Sequence, residues 1–116
     1  MKTCPLPRGR NATITVAFHS SETFSKATAV VHGILADLPV PFPIPNPDGC
    51  KSCGLKCPVK KETDNNYATN IFIKDSYPKV RVVVKWELKD ENDSDIFCIE
   101  IPAEVADSAH IVKKLK

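Results

Sequence analysis

Between Pro39 and Pro47 every second residue is proline, and the residues between them include the large apolar Val40, Phe42 and Ile44. Proline fixes φ near its extended value, offers no N–H, and pushes the preceding residue toward β or polyproline conformations. The segment is therefore excluded from helix and from the interior of a sheet ladder, and it reads as a stiff edge or rim. Its alternate apolar side chains have two possible uses: closing the end of a core, or lining the mouth of a cavity. The wider stretch from Val30 to Cys57 also carries three of the five cysteines.

At 116 residues the chain reads as one domain, 1–116, long enough to bury a single core without metal. Sixteen basic and 14 acidic residues leave a formal charge of +2, so charge alone demands neither nucleic acid nor an anionic membrane. No run approaches the roughly 18 apolar residues of a transmembrane helix. Met1 to Cys4 leads into prolines and Arg8 rather than into the apolar core of a signal peptide. Five cysteines and two Asn-X-Ser/Thr sequons, with acceptors Asn11 and Asn92, point to a secretory, oxidising history with glycosylation at both. The odd cysteine count leaves a thiol over, and the expectation is that the sequence begins inside a longer secreted precursor.

Alternation predicts strands. Ala12, Ile14, Val16 and Phe18 share one parity within Asn11 to His19. Ala27 to Leu35 is rich in alanine and β-branched residues and reads as a second strand ending near Gly33. Lys60 to Tyr67 reads as a loop, Tyr67 to Lys74 as a third strand, and Asp75 to Pro78 as a turn. Lys79 to Leu88 is the cleanest pattern, with Val80, Val82, Val84, Trp86 and Leu88 on one face and Val83 the exception. The charged Lys89 to Asp95 reads as a hairpin loop, and Ile96 to Val105 as its returning strand with Phe97, Ile99 and Ile101 inward. The tail 107–116 is expected to fray or form a short helix. With no helical period in any window, the pattern predicts an all-β, two-sheet sandwich.

Five segments carry a resemblance: Val30 to Leu35, Pro39 to Cys50, Tyr77-Pro78, Val82 to Trp86, and Phe97 to Pro102. Long and in order, they are similar to the secreted lipid-recognition (ML) domain family, and within it to the Niemann-Pick type C branch of sterol carriers of the lysosomal lumen. The resemblance implies an immunoglobulin-like sandwich whose sheets part to admit one sterol, and sterol transfer at membranes or to a membrane-bound acceptor by a monomer. Phe42 matches the family's pocket phenylalanine, Ile73 the aliphatic position opposite, and Tyr77 with Pro78 the pocket entrance, with Trp86 beside them. His32, Gly33, Ile34, Leu35, Leu38 and Val40 match the apolar surface that touches membrane or partner; Asp37 departs by adding a charge there. Of the family's three bridges, Cys50 and Cys57 resemble one, with Cys53 an extra thiol inside the loop. Cys4 and Cys98 resemble one half each of the other two, whose partners would lie upstream of Met1.

Sterol binding needs a dry cavity walled by aliphatic and aromatic side chains with few polar groups, and Phe42, Ile73, Val82, Val84, Trp86, Ile99 and Ile101 would supply one. By spacing alone these residues read as ordinary sandwich core, and only the resemblance turns that reading toward a cavity. The spacing Cys50-X-X-Cys53-X-X-X-Cys57 also admits a redox pair or half a zinc site. Neither the βαβ setting of the first nor a second Cys/His pair for the second is present, so no metal and no cofactor is expected. Arg81, Lys85 and Lys79 read as a basic strand face, a solvated surface or a weak guide to anionic lipid. His19, His32 and His110 stand in no catalytic motif, and no enzyme activity is expected. Two further readings remain open: a carrier of fatty acids or semiochemicals, and a lipid-independent interaction module with a closed core.

Overall fold

The computed structural model describes residues 3–107; the rest of the tail, including His110, lies outside them. Seven strands form: β1 (Cys4–Arg8), β2 (Arg10–Ser20), β3 (Thr28–Leu35), β4 (Leu38–Pro41), β5 (Thr63–Ile73), β6 (Arg81–Lys89) and β7 (Asp95–Asp107). They build a five-stranded sheet in the order β1-β7-β6-β3-β4 and a two-stranded sheet of β2 and β5. No helix occurs among the described residues, and the architecture is an all-β, immunoglobulin-like sandwich.

Strand parity sets the interior. On β6, Trp86 and Leu88 are fully buried, and Val31 of β3 and Ile99 of β7 lie opposite Trp86 in the ladder. From the other sheet, β5 contributes Tyr67, Ile71 and Ile73, each less than 5 % exposed. Val83 faces outward between Ile34 and Pro102, which accounts for its break in the alternation.

Three boundaries differ from the sequence reading. Thr63 to Asn66, expected in a loop, open β5 and pair with Ala17 to Ser20 of β2; ladder pairing overrides their low β propensity. Leu38 to Pro41, where the sequence reads as a stiff rim with no strand, form edge strand β4, where the missing N–H of Pro39 and Pro41 is tolerated. Asp107, assigned to the tail, ends β7 opposite Arg8.

Strand β1 was not anticipated at all. Pro5 and Pro7 hide it, yet it runs parallel to β7 at the sheet's edge and buries Leu6. The β3–β4 connection is a two-residue hairpin with φ of +48° at Ala36 and +67° at Asp37. Aspartate is among the few residues that enter this region readily, so Asp37 suits the turn conformation as well as adding its charge.

Candidate functional site

A cavity of about 170 Å³ lies between the sheets. Val31, Gly33, Leu35, Val82 and Val84 wall it from the five-stranded sheet, with Leu6 and Val105 at that sheet's β1–β7 edge. Ile71 and Ile73 wall it from β5. Val40, Pro41, Phe42, Tyr77, Pro78 and Val80, with His32 of β3, complete the lining, which holds no carboxylate, lysine or arginine. A second hollow, sharing Phe42, Ile71 and Tyr77 with the first, runs along Pro43, Ile44 and Pro45 to Phe72.

The proline rim supplies one side of this arrangement. Beyond β4 the chain stays extended, and the Phe42 N–H donates to the Val31 carbonyl at 2.9 Å, fixing where the phenyl ring enters. Tyr77 comes from the turn before β6, and the two rings pack edge to face with centroids 5.5 Å apart. Arg8 anchors that turn by donating to the carbonyls of Asp75 and Tyr77, each at 3.0 Å, while its guanidinium also pairs with Asp107. Hydrogen bonds from Arg8, and secondarily from Lys79, hold the Asp107 carboxyl below the usual aspartate range.

Six of the eight residues expected to bind ligand line the cavity: Phe42, Ile73, Tyr77, Pro78, Val82 and Val84. Trp86 and Ile99 do not, and neither does Ile101. Trp86 lies one inward step beyond Val84 and packs on the Tyr67 ring at 6.3 Å, within solid core. Of the expected transfer surface, His32, Gly33, Leu35 and Val40 line the cavity themselves, whereas Ile34 pairs with Val83 and Pro39 on the outer face. Leu38, at 67 % exposure, and Val40, at 47 %, are two of the three exposed large apolar side chains among the described residues; Phe72 is the third.

The lining residues missed in the sequence are Leu6, Pro41, Val31, Ile71, Val80 and Val105. Parity on their strands carried a signal for the last four, while Leu6 had none because its strand was concealed by prolines.

The other candidate chemistries resolve into structure. Cys50 and Cys57 form a disulfide, and Cys53 inside its loop is 1 % exposed, its thiol pushed up by burial. Cys4 and Cys98 are free and exposed. Glu87, Asp95 and Cys98 approach one another, but the Lys89 ammonium already pairs with both carboxylates at 3.4 and 3.3 Å. The expected basic face is not one: Arg81 lies opposite Glu104, Lys85 opposite Glu100, and Lys79 pairs with Asp107. Opposite charges across a ladder cancel the field such a face would need. Asn11 and Asn92 are both exposed.

A strand-only sandwich with an uncharged cavity between its sheets and a mouth framed by aromatic and proline residues defines a carrier of apolar ligands. The chain belongs to the ML domain family, whose model matches residues 1–105. It is 46% identical over 102 residues to the NPC intracellular cholesterol transporter 2 of Danio rerio, covering 88% of this chain and 68% of that protein. The ecdysteroid-regulated 16 kDa protein of Manduca sexta is 47% identical over 102 residues, 88% of this chain and 70% of its own length. Among solved structures, a Niemann-Pick type C2 protein from the Japanese carpenter ant superposes with a TM-score of 0.86 at 30% identity, covering 91% of this chain and 82% of that one.

Proposed function

We propose that this chain binds a single sterol between its sheets and carries it to and from membranes without altering it. The observation that supports this best is the cavity wall, apolar apart from His32 and free of carboxylates, lysine and arginine, in a chain 46% identical to a cholesterol transporter. Each Å² of apolar surface removed from water contributes about 25 cal/mol, enough to hold an insoluble molecule without a charged anchor. A fatty acid fits less well, because an ionised carboxylate taken into such a lining would lose its hydration with no lysine or arginine to replace it.

Cavities for ligands of this size usually span about 300–1,000 Å³, and this one is about 170 Å³. The sheets therefore move apart as the ligand enters, past Phe42 and Tyr77. Exposed Leu38 and Val40 on the outermost strand would touch the bilayer or an acceptor protein during transfer. The protein acts as a monomer in the secretory route or lysosomal lumen, glycosylated at Asn11 and Asn92.

The test is displacement of a fluorescent sterol by cholesterol and by oleic acid at pH 5 and pH 7. Saturable displacement by cholesterol and not by oleate is the expected result. Oleate binding without a sterol signal would move the assignment to a fatty-acid carrier. A folded protein that binds neither would leave an interaction module.

A further inference from the structure

The outer face of the β2–β5 sheet is wet along its length but for one residue. On β2 every second residue from Asn11 to His19 is exposed, and their ladder partners on β5 are asparagine, alanine or aspartate, with a single exception. That exception is Phe72, 47 % exposed and paired directly with Asn11, the acceptor of the Asn11-Ala12-Thr13 sequon. Directly opposed residues of an antiparallel pair share one face and hold their Cβ atoms about 4.5–5.5 Å apart. Asn11 is itself exposed.

Phe72 is not an isolated apolar spot. It borders the hollow along Pro43, Ile44 and Pro45 beside the cavity mouth, and no β2 residue lines that hollow. The proline rim therefore approaches the phenyl ring from one flank and Asn11 stands at the other. A continuous apolar patch of this kind ordinarily meets a partner.

Resting on the glycosylation of Asn11 proposed above, we propose that the first N-acetylglucosamine of that glycan lies on the Phe72 ring and is the partner of this patch. The sugar attaches at Asn11 Nδ2 and so begins within a side chain's reach of the ring. In such a pyranose the ring faces present C–H groups, while the hydroxyls project from its rim. The C–H groups meet the electron-rich face of the phenyl ring. The hydroxyls stay in water, so the contact desolvates no polar group. With Phe72 covered, Leu38 and Val40 on the outermost strand of the other sheet are the exposed large apolar side chains left to meet a bilayer or acceptor. The glycan thereby confines docking to that strand.

The test uses the full chain secreted from a eukaryotic host in an Asn92→Gln background, which leaves Asn11 as the sole acceptor. An endoglycosidase trims the glycan to one N-acetylglucosamine, and Asn11→Gln removes it entirely. The trimmed chain should melt with the fully glycosylated one. Asn11→Gln should melt about 2–6 °C lower, the shift expected when a contact as strong as an aromatic pair is lost from a domain of this size. Phe72→Ala should abolish that difference and Phe72→Tyr should keep it. In the trimmed chain the sugar-ring protons should move upfield in the aromatic ring current, and Phe72→Ala should return them. A melting difference that survives Phe72→Ala, with unshifted sugar protons, would overturn the contact. So would a Phe72→Ala chain that keeps the melting difference and instead loses sterol transfer to vesicles, since the ring would then face a bilayer. A mass spectrum showing Asn11 unmodified would overturn the glycosylation and the contact together.

Discussion

Phe42 and Tyr77 meet edge to face at 5.5 Å across the cavity mouth, although one lies within the proline rim and the other in the turn before β6. Neither ring is fully buried, so the pair can separate without opening the core around Trp86. Phe42→Ala removes a wall and half of the aromatic contact. Burying a side chain of this size contributes about 1.5–3 kcal/mol, so sterol affinity should fall about 10- to 100-fold. Displacement titrations read this directly, and an unchanged affinity would place the ligand elsewhere.

The strands were legible wherever one face was dry and the other wet. Val80 to Leu88 alternates because its two faces meet different media, and β6 follows that register. Strand β1 was not legible, since Pro5 and Pro7 read as breakers and only an edge position permits them. The first half of β5 was equally hidden, because Thr63 to Asn66 are polar and owe their conformation to pairing with β2. The cavity shows a subtler limit. Val82 and Trp86 share parity, but one lines the cavity and the other is solid core; alternation reports which face a residue takes, not how closely the opposite sheet approaches it.

Gly33 offers a way to close the cavity from within. It lies on the inward face of β3, and a Cβ there would meet Val82 Cγ2 at 3.2 Å. Gly33→Leu would project a side chain into the space meant for ligand. The expected outcome is loss of sterol binding, with a stability cost of about 1–3 kcal/mol from overpacking. Circular dichroism melts beside displacement titrations separate the two effects. A folded variant that binds sterol normally would contradict the position of the site.

Cys53 should be silent toward alkylating reagents while the fold persists. Its thiol is almost wholly buried, and burial raises its pKa, so both access and thiolate fraction oppose reaction. Cys4 and Cys98 are exposed. Maleimide labelling of the native chain should therefore modify Cys4 and Cys98 and spare Cys53, which reacts only after denaturation. Native labelling at Cys53, located by peptide mapping, would mean that the Cys50–Cys57 loop opens readily.

The charged clusters at the two ends of the sandwich make opposite predictions for pH. His19 bonds to Asp64 at 2.8 Å and Glu62 at 3.1 Å, and these bonds, Asp64 first, raise its pKa above the ordinary 6.5. A raised pKa means that the folded state holds the proton more tightly. The contribution is complete below pH 6.5 and disappears as pH rises through the higher folded value. Asp107 is the reverse case, lowered from 3.8 chiefly by Arg8, so its contribution is present above that pH and lost as pH falls through the lower folded value. Both act together in mildly acid solution, the condition of the lumen proposed for this protein. Thermal melts of the parent, His19→Gln and Asp107→Asn at pH 5 and pH 8 test this. The deficit of His19→Gln should be larger at pH 5 than at pH 8, whereas that of Asp107→Asn should be the same at both and shrink only below pH 3.8. A His19→Gln deficit independent of pH would mean that the imidazole carries no charge-dependent role at that end of the fold.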